Sequence, residues 1–268
     1  MSVEPVQSRT LGSIRQFGAL WLLFCCIPPL SMAASLLVNV DAGSWPSISM
    51  PLMRALAADA WLYCAGFITI AAPLAGVAAA WSRKPLRGLA ASEGAAAEAL
   101  ATARPLLVAV LLFTAVSALL TLALADAPGA ATFTATSHAT LAAVALALAV
   151  FGAFCGASFA DPLDAAACSL GLVLLTAAGV LVAGASLERV PPAFIDLALT
   201  ASPLVAMTSA ARIDILRMDT LYQISPLAHL QVEYPAWYTA AGWYLLFAFS
   251  SYLGLVWKCG AVRTPAAH

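Results

Sequence analysis

Six stretches of 21 to 34 residues contain no Asp, Glu, Lys or Arg: 16–40, 60–82, 105–125, 127–160, 165–187 and 234–257. Every charge of the chain falls outside them, in the gaps between or at the two ends. A helix needs about 20 apolar residues to cross a ~30 Å hydrocarbon core. In lipid each backbone N–H and C=O must be satisfied inside the spanning structure, which leaves helices or closed barrels. Barrel strands would alternate apolar and polar positions over ~10 residues. These runs are instead unbroken blocks of Leu, Ala, Val and Phe, so they are read as helices. The expected fold is all-α: a single polytopic membrane domain over 1–268, with six spans near 16–40, 60–82, 105–125, 138–160, 165–187 and 236–257.

Composition narrows the function classes. Charged residues make up 9% and mean hydropathy is +0.93, against about 25% charged in a soluble domain. A net charge of −1 speaks against nucleic acid as a partner, since a phosphate-binding face needs clustered Lys and Arg. Six spans and their loops consume the 268 residues, leaving no room for a soluble catalytic domain of ~100 residues. The six cysteines, Cys25, Cys26, Cys64, Cys155, Cys168 and Cys259, form no CxxC pair and are read as small buried hydrophobes, not metal ligands.

At the N-terminus, Arg9 and Arg15 precede an apolar stretch that passes Ser31-Met32-Ala33-Ala34. A cleaved signal peptide and an uncleaved first span are both consistent with that pattern, and the length of the run favours the span. With both termini in the cytoplasm, Arg9, Arg15, Arg83, Lys84, Arg87, Arg104, Lys258 and Arg263 lie inside, against Arg54, Arg189, Arg212 and Arg217 outside. The positive-inside rule favours that orientation.

Two connections carry information. The cytoplasmic one, Ser82 to Arg104, opens with Arg83-Lys84-Pro85-Leu86-Arg87, a basic anchor for anionic lipid. It continues as an Ala- and Glu-rich stretch that reads as a short surface helix capped at Ser92, ahead of a span that starts with Pro105 at its first turn; an inert linker is the alternative. The outer connection, Glu188 to Pro235, holds an uncharged stretch, 197–211, too short to cross and containing Pro203. Such segments lie re-entrant or at the interface. Residues 204–222, with Arg212, Asp214 and Arg217 on the polar side, are read as an amphipathic helix in the outer interface. Tyr234, Trp237, Tyr238, Trp243 and Tyr244 form an aromatic belt for the last span. The first outer loop is expected at Asp41–Asp59, a tight turn follows Asp126, and the Ser/Thr-rich stretch Thr132–Thr140 is expected near the surface, with the fourth span starting near His138.

Catalytic motifs are missing. There is no HExxH, GxSxG, Walker-type loop or GxGxxG, and Ser158 and His138 stand ~30 Å apart on one helix at 1.5 Å per residue. A bis-histidine haem needs two facing histidines in the membrane, and of His138, His229 and His268 only His138 approaches that depth. No enzyme activity, cofactor or metal is expected. Asp and Glu fall only at run boundaries or in loops, whereas ion-coupled carriers place titratable groups at mid-membrane. Any transport is therefore expected to draw energy from a partner protein.

The layout resembles the permease subunits of ATP-binding-cassette transporters of the type 2 exporter class. The segment Glu98-Ala-Leu100-Ala-Thr102-Ala-Arg104-Pro105 is similar to the Glu-Leu-Leu-Leu-Ala-Thr-Pro pattern that those proteins carry before the third span, with smaller residues and two more between Thr and Pro. Ser202-Pro203 stands where an Asn-Pro pair is often found, and the acidic run ahead of the coupling helix is replaced by Arg83-Lys84-Pro85. The resemblance implies a coupling-type helix that docks a separate ATPase subunit, a homo- or heterodimer with a second permease, and the bacterial inner membrane. In that docking surface Arg87, Glu93, Glu98 and Arg104 supply exposed charges, and Leu89 and Leu100 fill a groove on the partner. A non-catalytic assembly or scaffold subunit is the alternative reading.

Overall fold

The computed structural model describes residues 50–84, 94–124, 130–183, 190–215 and 233–261. These form seven helices: α1 (Met50–Arg83), α2 (Ala95–Leu124), α3 (Ala130–Ser158), α4 (Pro162–Ala183), α5 (Pro192–Ala201), α6 (Pro203–Ala210) and α7 (Trp237–Ala261). No strand occurs among the described residues. Five helices are long and apolar enough to cross a membrane, and the α5–α6 pair is bent by 84°. The protein is an all-α polytopic membrane protein. The run 16–40 lies outside the described residues.

Helix α3 is the central post, packed along α1 on one side and α7 on the other. The contacts Trp61–His138, Pro73–Gly152 and Val77–Gly156 keep a nearly constant sequence offset, so α1 and α3 run in the same direction. Their crossing is close because it is built from small residues. A methyl group at Gly76 or Gly152 would overlap the facing backbone, at Ala149 and Pro73 respectively, and one at Gly156 would stand 2.8 Å from the Val77 carbonyl. Lipid tails are as apolar as Leu, so helices in a bilayer associate through close packing of this Gly-xxx-Gly kind. Pro73 sits inside α1 at this crossing, where a proline interrupts the helix ladder and a glycine on the neighbour leaves room for the displaced backbone.

The two ends of the bundle differ in charge. Arg83, Lys84, Arg104 and Lys258 gather where α1 and α7 finish and α2 starts. Lys84 Nζ stands over the Trp81 ring at 3.7 Å and donates to the Phe159 carbonyl at 2.6 Å, a cation at the C-terminal end of α3, where the helix dipole favours one. Asp161 then caps α4 by accepting from Leu163 N at 2.7 Å. At this basic end the start of α2 packs on α7: a Cβ on Gly260 would meet Ala95 at 3.6 Å, and Tyr252 Oη donates to the Ala96 carbonyl at 3.4 Å.

Four expectations are corrected. Residues 95–104 are not a separate surface helix. They are the first turns of α2, which runs through Pro105 without a break, because Ala and Glu sustain the helix and the segment packs against α7. Helix α1 starts at Met50, so the latter part of the expected 41–59 loop is helical, with Pro51 in the first turn where its missing N–H costs nothing. The Ser/Thr stretch 132–140 does not stand ahead of the span but belongs to α3, whose apolar length starts at Ala131: Thr134, Ser137 and Thr140 are buried in the bundle, while Thr132 is exposed. The hydroxyls of Thr136, Ser137 and Thr140 donate to carbonyls three or four residues back, which satisfies them without water. Finally, no helix runs through 204–222. Helix α6 stops at Ala210 with most of its residues buried in the bundle, and residues 216–222 lie outside the described residues.

Candidate functional site

The far end of the bundle, opposite the basic end, holds a polar junction where four helices meet. His138 stands two turns into α3 and is buried. Its Nδ1 lies 2.9 Å from the Thr134 carbonyl and its Nε2 lies 3.0 Å from Ser117 Oγ of α2. A carbonyl only accepts, so Nδ1 carries the proton. Nε2 is then the acceptor, and the Ser117 hydroxyl donates to it. Trp61 of α1 packs edge-on against the imidazole with ring centroids 5.1 Å apart. Its indole N–H crosses to α6 and donates to the Met207 carbonyl at 3.0 Å. One buried relay thus joins α6, α1, α3 and α2. Thr121, one turn beyond Ser117, donates to the Ser117 carbonyl at 2.8 Å, and Thr134 Oγ1 is buried without a hydrogen-bond partner.

Beside this relay sits the α5–α6 elbow, and its sequence explains the bend. Pro203 at the first position of α6 has no N–H to continue α5, and it disfavours helical geometry at Ser202. Ser202 is extended, with φ −76° and ψ 117°, and accepts from Val205 N as the cap of α6. The same Ser202 hydroxyl donates to the Ala177 carbonyl of α4 at 3.2 Å. Tyr244 of α7 donates to the Ala201 carbonyl at 2.7 Å. Helices α4, α7 and α1 therefore each hold the elbow by one side-chain-to-backbone bond. Helix α6 ends with Arg212 at φ 55°, a left-handed turn closed by Ile213 N to the Thr208 carbonyl at 2.9 Å.

The residues singled out in the sequence divide between the two ends. Pro203 is buried at the elbow. Arg212 is exposed at the end of α6, and Asp214 is half-buried and accepts a hydrogen bond from Tyr234. Arg217, Arg87, Leu89 and Glu93 lie outside the described residues. At the basic end Leu100 is 56% exposed, but Glu98 is only 6% exposed, so it is not one of the free surface charges expected there. Arg104 is exposed, one turn beyond Leu100. Among the described residues of that expected surface, Leu100 and Arg104 stand together in the open.

Sequence reasoning missed the Ser117–His138 pair because it sought a serine partner for His138 on its own helix. The signal was available: the two residues stand at nearly equal distances from the Asp126-Ala-Pro-Gly-Ala turn, and an antiparallel hairpin brings such positions level. Among the described residues no group of three or more His, Cys, Asp or Glu is placed to hold a metal ion. Compared with family models, curated proteins and solved structures, the chain matches none.

Proposed function

We propose that this chain is the membrane-spanning permease subunit of a transporter driven by a separate ATP-binding-cassette ATPase, of the type 2 exporter class. The observation that carries the reading is the α5–α6 elbow: a bent helix pair of 84° that follows the fifth sequence-predicted span, precedes the last helix, and is seated inside the bundle. Non-helical backbone at membrane depth is tolerated where protein surrounds it, and here three neighbouring helices bond to it. A second observation supports the reading. Helix α2 extends ten residues ahead of Pro105 at the basic end, carrying exposed Leu100 and Arg104, where an ATPase in the cytoplasm would make contact.

In this reading ATP is hydrolysed by the partner, and the chain itself carries no catalytic step. The basic end faces the cytoplasm, as the positive-inside rule asks, in the inner membrane of a bacterium, and a second permease, identical or related, completes the pathway. Force enters through the start of α2 and leaves through the junction at the far end. Co-purification with a tagged full-length chain tests it: a soluble ATPase with a Walker A motif is expected to travel with the wild type and to be lost with Leu100→Asp. Recovery of a stable membrane complex with no ATPase would favour the assembly-subunit reading instead.

A further inference from the structure

Helix α1 is covered by neighbours on most of its surface and open along one stripe. It crosses α3 at Pro73 and Gly76 and also touches α2, α4 and α6. The remaining side carries Tyr63, Phe67, Ile70, Leu74, Ala78 and Trp81, each three or four residues from the next, a spacing that keeps them on one helix face. Tyr63 is 75% exposed, Ile70 46% and Leu74 37%, and the other three are half-buried. A Cβ added to Gly66, beside the stripe, would meet nothing. Where Phe67 and Ala71 face Val110 and Phe113 of α2, an apolar notch of about 30 Å³ is left, room for the tip of one side chain.

Lipid covers any apolar face in a bilayer, so exposure alone does not choose the occupant. The chain that leads into α1 does. The charge-free run 16–40 ends nine residues, 41–49, before Met50. Nine extended residues reach about 30 Å. Helix α1 stands ten residues beyond Ala60, where its own charge-free run begins, so about 15 Å of that reach is spent returning to the level of the run. What is left, with Gly43 and Pro46 inside the connection, seats 16–40 beside α1, at the roughly 8–10 Å of packed helices, and consecutive elements are usually neighbours. The other sides of α1 are taken.

The two runs also match in register. Asp41 and Asp59 end them at the far end and so mark one membrane surface. Antiparallel helices levelled there bring Leu37 beside Tyr63, Ala33 beside Phe67, Leu30 beside Ile70 and Cys26 beside Leu74. Residues 26, 30, 33 and 37 share one helix face, and all are apolar. Ala33 gives way to the bulky Phe67, and Ala34 comes level with Gly66, small against small, which lets helices approach closely in lipid.

We propose that the open face of α1 is the seat of residues 16–40 of this same chain, retained in the mature protein as an antiparallel helix against Tyr63, Ile70 and Leu74. This pairing closes the α1 face to lipid and to a second permease, and leaves the exposed faces of α4 and α7 for them. It needs no ATPase, so its failure and that of the permease reading are separable.

Native Cys25 and Cys26 make the test direct. The full-length chain with Leu74→Cys is oxidised in nanodiscs with copper phenanthroline, and linked peptides are identified by mass spectrometry. Position 74 is expected to link to Cys25 or Cys26 within one chain. Leu172→Cys on α4 and Phe249→Cys on α7 replace exposed apolar residues at about the same distance from the charges of the basic end. They should give on the order of tenfold less of that link, because a disulfide needs Cβ atoms about 3.5–4.5 Å apart. The double variant Leu37→Cys with Tyr63→Cys, on the other side of Pro28-Pro29, should link as well, and it decides the matter if Leu74→Cys does not fold. Thermal midpoints near wild type identify the folded variants. Links from Cys25 or Cys26 to 172 or 249 in place of 74 overturn the proposal. So do links at 74 that join two chains, which would make a second copy the occupant. Folded protein without a link at either pair leaves the face to lipid and overturns it too.

Discussion

The two ends of this bundle are fastened in opposite ways. At the far end, side chains from α1 and α7 reach backbone carbonyls of the α5–α6 elbow, the elbow's Ser202 hydroxyl reaches a carbonyl of α4, and His138 ties α3 to α2. All these donors are buried. At the basic end the side-chain bonds between elements lie nearer the surface, as Lys84 on the Phe159 carbonyl and Tyr252 on the Ala96 carbonyl show. There the large apolar side chains Leu100, Leu163 and Trp257 stand exposed. A buried polar network fixes one arrangement, because breaking any bond leaves its partner unsatisfied in a low dielectric. An open end with exposed apolar and basic groups is where a soluble partner can bind without dismantling the core. The comparison implies that stability resides at the far end and in the α1–α3 crossing, and that interaction resides at the basic end.

The largest effect is expected where both ends depend on one contact. Gly152→Leu would drive a side chain into the Pro73 backbone of α1. The facing atoms are main chain and cannot move aside, so the loss should exceed about 3 kcal/mol, the upper part of the range for overpacking. The expected outcome is a failure to recover folded protein in mild detergent. A Gly152→Leu variant with a thermal midpoint near wild type would mean that α1 and α3 are not held at this distance.

Next comes the junction. His138→Leu removes both ring bonds and leaves the Ser117 hydroxyl without its acceptor, at a cost of about 2 kcal/mol. Trp61→Phe keeps most of the ring but loses the N–H to Met207, at about 1 kcal/mol, since hydrogen bonds in membrane proteins average somewhat under that. Both should lower the thermal midpoint, His138→Leu by more. The elbow reports separately: a cysteine at Leu204 should react faster with a thiol reagent in Trp61→Phe than in the Trp61 background. Unchanged reactivity would show that Trp61 does not hold α6.

The sequence was most informative where chemistry is repetitive. Runs free of charge located α2, α4 and α7 to within about ten residues at either end, because the cost of burying charge in lipid is large and acts at every position. It misled where a polar residue can satisfy itself. Thr134, Ser137 and Thr140 look like a surface stretch, yet the Ser137 and Thr140 hydroxyls bond back to carbonyls of their own helix and the Thr134 carbonyl accepts from His138, which lets these turns enter the bundle. It misled again at Pro105, which reads as a helix start but sits in the third turn of α2. The bend at Ser202-Pro203 was foreseeable from the proline, and a re-entrant course was among the expectations. Its seating was not, because Tyr244, Trp61 and Ala177 come from three distant segments. Glu98 was misassigned for a related reason: its burial depends on tertiary packing of α2, which local spacing cannot report.

A smaller effect is expected at the basic end itself. Lys84→Met removes the ammonium from both the Trp81 ring and the Phe159 carbonyl. A cation at a helix C-terminus contributes about 0.3 to 1 kcal/mol where solvent reaches it, so the midpoint should fall by less than in Trp61→Phe, and more clearly at low salt. If Lys84→Met destabilises as much as His138→Leu, the two ends are fastened with equal strength and the comparison fails.

The smallest effect on stability, and the most useful one, belongs to Leu100→Asp. Leu100 is 56% exposed on the first turns of α2, and surface substitutions away from caps, cores and buried networks usually stay within about 0.5 kcal/mol. The thermal midpoint of the isolated chain should therefore be indistinguishable from wild type. Partner capture should not be. Hot-spot side chains at protein interfaces contribute about 2 kcal/mol or more when truncated, and an aspartate in their place adds a desolvated charge, so ATPase recovered in a pull-down should fall by at least thirtyfold. The paired control is Leu204→Asp at the elbow, where the side chain is half-buried in the far-end packing. That variant should lower the midpoint and leave capture by the surviving folded fraction intact. The opposite pattern, with Leu100→Asp unstable and Leu204→Asp unable to capture the partner, would exchange the roles of the two ends and end both the comparison and the docking proposal.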